Sequence, residues 1–383
     1  MTPPISRALA ISCTLLLVLA AVSGCGVENT TAPPPTPAAG PSMLLTFTSA
    51  RPPSPTPYIT DLYMKDLSLS QAGFLIPNVN TPGNEGPAGL SGDGRTLAFF
   101  TDRFYVGSLA TIALYDVATG ALRIPNPLRF VPNSQNPALS YDGHYLAYQV
   151  QGTGPFDQDI QLVDVPADTL VELPNINEAG PTDFDPSLSG DGKLIAFASN
   201  GSRSIGSFDI LLYSVPGDSF VALPNLNSAF NELSASISRD GRYIAFQTGN
   251  PAITRGLVDV EVYDRQTQSL LALPGANTNL SEFQPVISPD GRYIAYTTES
   301  EGGRDIRVYD VRDKHLVALS GVNSPTYYDE LPSLSELPPV IFHPASATTS
   351  ASAVRAAVAS AMVPAHASGV AAFVGRKAST IGR

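Results

Sequence analysis

Short runs in which apolar and polar residues alternate, each bounded by turn residues, recur from Met43 to Phe342. Residues 235–273 show the unit. Ala235–Ser238 reads as one short strand, and Arg239–Arg242 supplies a tight turn, because Asp-Gly accepts the positive φ that hairpins need. Tyr243–Thr248 follows as a second strand. Asp259–Asp264, where β-branched residues alternate with polar ones, has the pattern of a third, half-buried strand. Ser269–Leu273, closed by Pro274, makes the fourth.

This unit is copied. Close versions of the stretch Ile287–Tyr296 (ISPDGRYIAY) begin at Ile237, Leu188, Leu139 and Leu90, and their glycines, Gly94, Gly143, Gly192, Gly241 and Gly291, are 49, 49, 49 and 50 residues apart. A period of this length with four strands in it describes a propeller blade. Third strands occur at 61–66, 111–116, 159–164, 209–214, 259–264 and 305–310, which makes six. Met43–Thr48 matches a second strand that lacks its first, and Leu331–Ser335 matches a first strand that has lost its Asp-Gly turn. The expected fold is all-β: a six-bladed β-propeller closed by pairing of these N- and C-terminal strands, which removes the open edges of a linear array. A seventh blade would have to begin at Pro339–Phe342, and too few strand-like residues follow.

Composition adds the setting. The chain has 383 residues, 43% of them hydrophobic and 15% charged, with 35 prolines and 31 glycines, a balance suited to short strands joined by turns. Its formal net charge of −12 argues against nucleic acid. Residues 1–24 read as an export signal, with Arg7 ahead of an apolar run from Ala8 to Val22. The run ends in Val22-Ser23-Gly24-Cys25, which resembles the bacterial lipobox; that resemblance implies lipidation (palmitate among the acyl chains) of Cys25 and a membrane anchor on the periplasmic or extracellular side. The alternative is an ordinary secretory signal. Residues 25–42 form a Pro-rich tether expected to be disordered, and 343–383 an Ala/Ser-rich tail expected to be disordered as well. The tail carries Arg355, Arg376, Lys377 and Arg383 and no acid; setting these and Arg7 aside leaves 17 basic against 34 acidic residues in 25–343.

The motif SPDGRYIAY followed by DIRVYD resembles the blade signature of the TolB-like propellers, a periplasmic family with repeats akin to WD-type repeats. The resemblance spans about 43–342 and implies the architecture. TolB itself carries an α/β domain before its propeller, where this chain has a signal and a tether, so the Tol–Pal role is not implied. What the resemblance leaves is a binding module of the cell envelope, expected to be a monomer.

Candidate chemistry follows from aligning the blades. Six positions before the serine of each SxDG stand Glu85, Asp183, Glu232, Glu282 and Asp329, with Ser134 in the second blade. In a propeller these enter the innermost strand, and five carboxylates around one channel mouth would attract a cation or a basic partner. Calcium, which takes 6 to 8 oxygens, is a candidate cofactor, with Asn80, Asn177, Asn227, Asn277 and Asn323 repeating in the same connections. Turn capping explains the same residue types. Asp61, Asp159, Asp209, Asp259 and Asp305 pose the same choice, and Phe184, Phe230, Phe283, Tyr327 and Tyr328 stand near the acids as a contact platform or as packing between blades. The Asp-Gly aspartates are read as turn residues on the opposite face.

An enzyme has thin support, with no GxSxG, HExxH or Walker loop. The expectation is a lipid-anchored envelope propeller binding a protein or small ligand through an acidic mouth. The rival is a calcium-dependent, lactonase-like hydrolase acting in the channel.

Overall fold

The computed structural model describes residues 41–51, 60–103, 110–129, 131, 134–152, 154, 157–177, 180–300 and 303–341. The export signal, Cys25, the tether up to Gly40 and the tail lie outside these residues.

Six four-stranded antiparallel sheets form the six blades. Blade 1 runs outward from Glu85–Leu90 through Thr96–Thr101 and Thr111–Asp116 to Leu122–Arg123. Blades 2 to 5 repeat this order from inner strands Gln135–Leu139, Asp183–Leu188, Glu232–Ile237 and Glu282–Ile287. Blade 6 is made from both ends of the propeller: Asp329–Glu336 is innermost, followed by Met43–Ser49, Asp61–Asp66 and Phe74–Leu75. Leu44 pairs with Ser335 and Ser49 with Asp329, so the expected closure is present and no inner edge is left open.

The SxDG motif builds the first hairpin of each blade. In blade 4 the Ser238 hydroxyl and the Arg242 N–H both donate to Asp240 Oδ1 (2.6 and 3.0 Å), the Tyr243 N–H donates to Ser238 Oγ, and Gly241 takes φ +71°. Equivalent bonds recur at Asp93, Asp142, Asp191 and Asp290. Between blades the core repeats too. Phe47, Phe99, Tyr148, Phe197, Phe246 and Tyr296 occupy the same place in the second strands, and all are fully buried. Each contributes about 1.5–3 kcal/mol by leaving water.

Several strand boundaries differ from the sequence reading. The inner strand of blade 4 starts at Glu232 rather than Ala235, and the outermost strand ends at Leu270 rather than Leu273. The first difference arises because the inner strand carries a bulge: Leu233 pairs with Gln247, but the next pair is Ser236 with Ala245. The same two-residue skip follows Glu85, Gln135, Phe184 and Phe283.

Candidate functional site

The five carboxylates of the expected mouth are buried at the start of their inner strands. Four of them accept from the turn that precedes the strand. Glu232 accepts from the Ser228 N–H and hydroxyl (2.9 and 2.6 Å) and from the Thr248 hydroxyl (3.0 Å). Glu282 repeats this with Thr278 and Thr298, and Glu85 with Thr81 and Thr101. Asp329 accepts from the Ser324 N–H (2.6 Å) and is paired with Arg51. Burial nevertheless pushes Glu85 up to about 7, against the opposing pull of its Thr81 bonds and Arg103. Asp183 is buried at the equivalent position.

None of the five lines the channel cavity. The oxygens of Glu85, Glu232, Glu282 and Asp329 accept from N–H and O–H donors, and among the described residues no three His, Cys, Asp or Glu are grouped closely enough to hold a metal. The asparagines are likewise committed. Asn277 accepts from the Val260 N–H and donates to the Val260 carbonyl, and Asn80, Asn177, Asn227 and Asn323 do the same to their own third strands. Asp209 and Asp259 each receive two backbone N–H groups of the preceding loop.

The channel is lined instead by the bulges. Two residues after each acid, and after Ser134 in blade 2, the chain places Asn136, Asp185, Ser234, Gln284 and Leu331 at φ of 48°, 52°, 54°, 55° and 54°, with Pro87 at that place in blade 1. Prolines follow four of them: Pro137, Pro186, Pro285 and Pro332. A proline has no N–H to give to the ladder, and a bulge on an edge strand is where a sheet tolerates it. These six residues form a belt around a cavity of about 470 Å³. The Asn136 amide donates to Asp185 Oδ1 (2.5 Å), and the Ser234 hydroxyl donates to Asp185 Oδ2 (3.3 Å), so three successive blades are linked through one carboxylate. Burial pushes Asp185 up to about 6, partly offset by these two bonds.

The opposite end of the cavity is bounded by the variable residue of SxDG. Blades 2, 4 and 6 contribute Tyr141, Arg239 and Glu336, while Gly92, Gly190 and Pro289 stand in blades 1, 3 and 5. The Tyr141 hydroxyl donates to Glu336 (2.5 Å), and Arg239 lies 3.9 Å from the same carboxylate. The small residues make room: a Cβ on Gly92 would stand 2.4 Å from the Tyr141 ring, and one on Gly190 2.4 Å from Arg239 Cγ. Tyr141 and Arg239 line both the channel cavity and a second one of about 530 Å³ beyond it, so the bridge is the floor between them. Backbone bonds encircle this floor. Glu336 N–H donates to the Gly92 carbonyl, Asp93 to Tyr141, Tyr141 to Gly190, Gly190 to Arg239, and Arg239 to Pro289.

No protein-family model and no curated protein sequence matches the chain. Among solved structures, TolB from Acinetobacter baumannii matches with a TM-score of 0.58 at 18% identity, over 76% of this chain and 66% of that one. Hydrazine synthase from Kuenenia stuttgartiensis matches with a TM-score of 0.55 at 14% identity, over 80% of this chain and 48% of that one. A chain of a nidogen/laminin complex gives 0.52 at 10% identity, covering 77% and 99%. The fold is that of a TolB-like propeller. At these identities the likeness is one of fold, and the chain spans about two thirds of the length of that TolB and half that of the synthase chain.

At its open mouth the propeller exposes apolar side chains. The loops between second and third strands and the connections into the next blade lie on this face. They carry Ile205, Phe230, Leu257, Leu280 and Tyr328, with Leu257 83% and Ile205 70% exposed. Neighbouring loops touch: a Cβ on Gly206 would lie 2.2 Å from the Phe230 carbonyl, and one on Gly256 1.8 Å from that of Leu280. Of the aromatics singled out in the sequence, Phe184 packs edge-on against Phe208, Phe283 lies under Arg304, and Phe230 and Tyr328 are exposed. The belt and the floor were not among the residues singled out. The signal that marks the belt is the proline three residues before the SxDG serine in blades 2, 3 and 5.

Proposed function

We propose that this TolB-like propeller is a binding module of the cell envelope, exported and tethered to a membrane through a lipidated Cys25, which receives a group of its partner in the channel. The observation that carries the reading is the cavity of about 470 Å³, bounded at one end by Tyr141 and Arg239 and ringed by five residues in a costly backbone conformation. Its volume is that of a ligand pocket, and exposed apolar side chains around a mouth mark an interaction face. The leader and lipobox-like tetrapeptide support the location. Among the described residues no helix is long and apolar enough to cross a membrane.

The test is photo-crosslinking in cells, with a photoreactive residue replacing Ser234 in the belt, Leu257 at the rim, or Leu170 on an outermost strand. Adducts from Ser234 and Leu257 but not from Leu170 are expected. Equal adducts from all three positions, or none from the channel, would overturn the reading.

A further inference from the structure

The belt is two-sided. Blades 2 to 5 present Asn136, Asp185, Ser234 and Gln284, whereas blades 6 and 1 present Leu331 and Pro87. We propose that this belt is a site for a small organic ammonium with an apolar flank, Asp185 supplying the counter-charge and Leu331 with Pro87 the apolar wall. The proposal rests on the channel being the binding site and names the ligand chemistry that the channel selects.

The charge inventory decides the class. Among the described residues Asp185 is the sole carboxylate lining the cavity, and the other ionisable groups there are Tyr141 and Arg239 at the floor, with Glu336 behind them as their shared partner. Arg239 is engaged with Glu336 and stacked on Tyr141, so it does not serve as the counter-ion of Asp185. The groups that face Asp185 are neutral: the amides of Asn136 and Gln149 from blade 2, the latter 3.5 Å from the Asp185 N–H, and the Ser234 hydroxyl from blade 4. A carboxylate has about four acceptor sites. Two are met by Asn136 and Ser234, and the rest are left for a donor entering the cavity that Asp185 lines. One carboxylate is far short of the 6 to 8 hard oxygens that calcium takes, whereas a single ammonium matches it in charge and hydrogen-bond sense. An anion would be repelled, and a neutral alcohol would gain no charge pairing.

The pH dependence has a definite sign. Burial raises Asp185 to about 6. Above that pH it is ionised and holds an ammonium; below it the charge is lost and affinity falls.

The test is calorimetry on the full chain carrying Cys25→Ser, titrated with hexylammonium, hexanol and hexanoate at pH 5 and pH 8. Hexylammonium is expected to bind at pH 8 at least tenfold more tightly than hexanol, to weaken about tenfold at pH 5, and hexanoate to give no heat. Asp185→Asn should abolish both the preference for the amine and its pH dependence. Asp185→Ser, which copies the residue of blade 4 at the same backbone position, should do likewise if the first variant misfolds. Leu331→Asn, suited to positive φ, should weaken hexylammonium several-fold and leave its pH dependence intact. Equal affinity for amine and alcohol, or a pH dependence that survives loss of Asp185, would overturn the proposal. If crosslinks from Ser234 persist while the amine shows no preference, only the ligand class fails; if both are absent, the channel reading fails with it.

Discussion

The guanidinium of Arg239 in blade 4 lies 3.5 Å from the ring centre of Tyr141 in blade 2, so a cation–π contact and a shared carboxylate, Glu336 of blade 6, join three alternate blades. Both side chains line the channel cavity, so the contact stands at its floor.

Removing the bridge should open that floor at small cost. Arg239→Ala loses a partly exposed contact worth about 1 kcal/mol. In a Cys25→Ser background, a thiol introduced by Ser187→Cys, which lines the cavity, should react with a bulky maleimide faster when Arg239 is absent. Unchanged reaction rates would show that the bridge does not control access.

Stability should peak in mildly acidic solution. Burial raises Glu85 and Glu261 to about 7 and Asp61 to about 6, whereas in an unfolded chain such groups titrate near 4. Between those values the folded protein retains protons that the unfolded chain has released. Their contribution is therefore fully present below about pH 4 and is lost as pH rises through 6 to 7. Asp264 and Asp310, held below the usual range with help from Arg242 and Arg292, work in the opposite sense and lose their contribution in acid. Urea midpoints should pass through a maximum near pH 5 and fall towards pH 8, and Glu85→Gln should reduce that fall by on the order of 2–3 kcal/mol. A midpoint rising from pH 5 to pH 8 would contradict the assignment.

Closure should carry a measurable share of stability. Leu334 on the innermost strand of blade 6 is buried with Met43, Leu45 and Phe47, which come from the other end of the propeller. Leu334→Ala should cost about 2–4 kcal/mol in urea unfolding. Asn277→Ala, which strips two bonds from the Val260 backbone within blade 4, should cost about 1–3 kcal/mol.

Membrane attachment should depend on one atom. Cys25→Ser is expected to move the protein from the membrane fraction to the soluble fraction, as read by fractionation and by loss of labelled acyl chain. Retention with membranes would remove lipidation from the reading.

The fold was legible because its determinants repeat. Gly94, Gly143, Gly192, Gly241 and Gly291 mark the same turn, and the degenerate ends, Met43–Thr48 and Leu331–Ser335, complete the count. The acids were legible for the same reason, and their repetition is accounted for locally: Glu85, Glu232 and Glu282 receive the same set of donors in three blades. The belt was not legible because Pro87, Asn136, Asp185, Ser234, Gln284 and Leu331 share no chemistry, only a place at the skip in pairing, which five of them take at positive φ. The floor escaped notice because its residues sit inside a motif whose fixed members build a turn. In a repeat protein, what is copied holds the blade together, and what differs at one equivalent position faces the axis.

The ring of backbone bonds around the floor has five links where six blades would ask for six. Pro289 cannot donate towards blade 6, so the circle is interrupted between blade 5 and the blade assembled from both ends of the propeller. The propeller is in this respect a split washer: its seam lies where chain closure has to be achieved, and the last blade can seat against its neighbour without first breaking a bond of the ring.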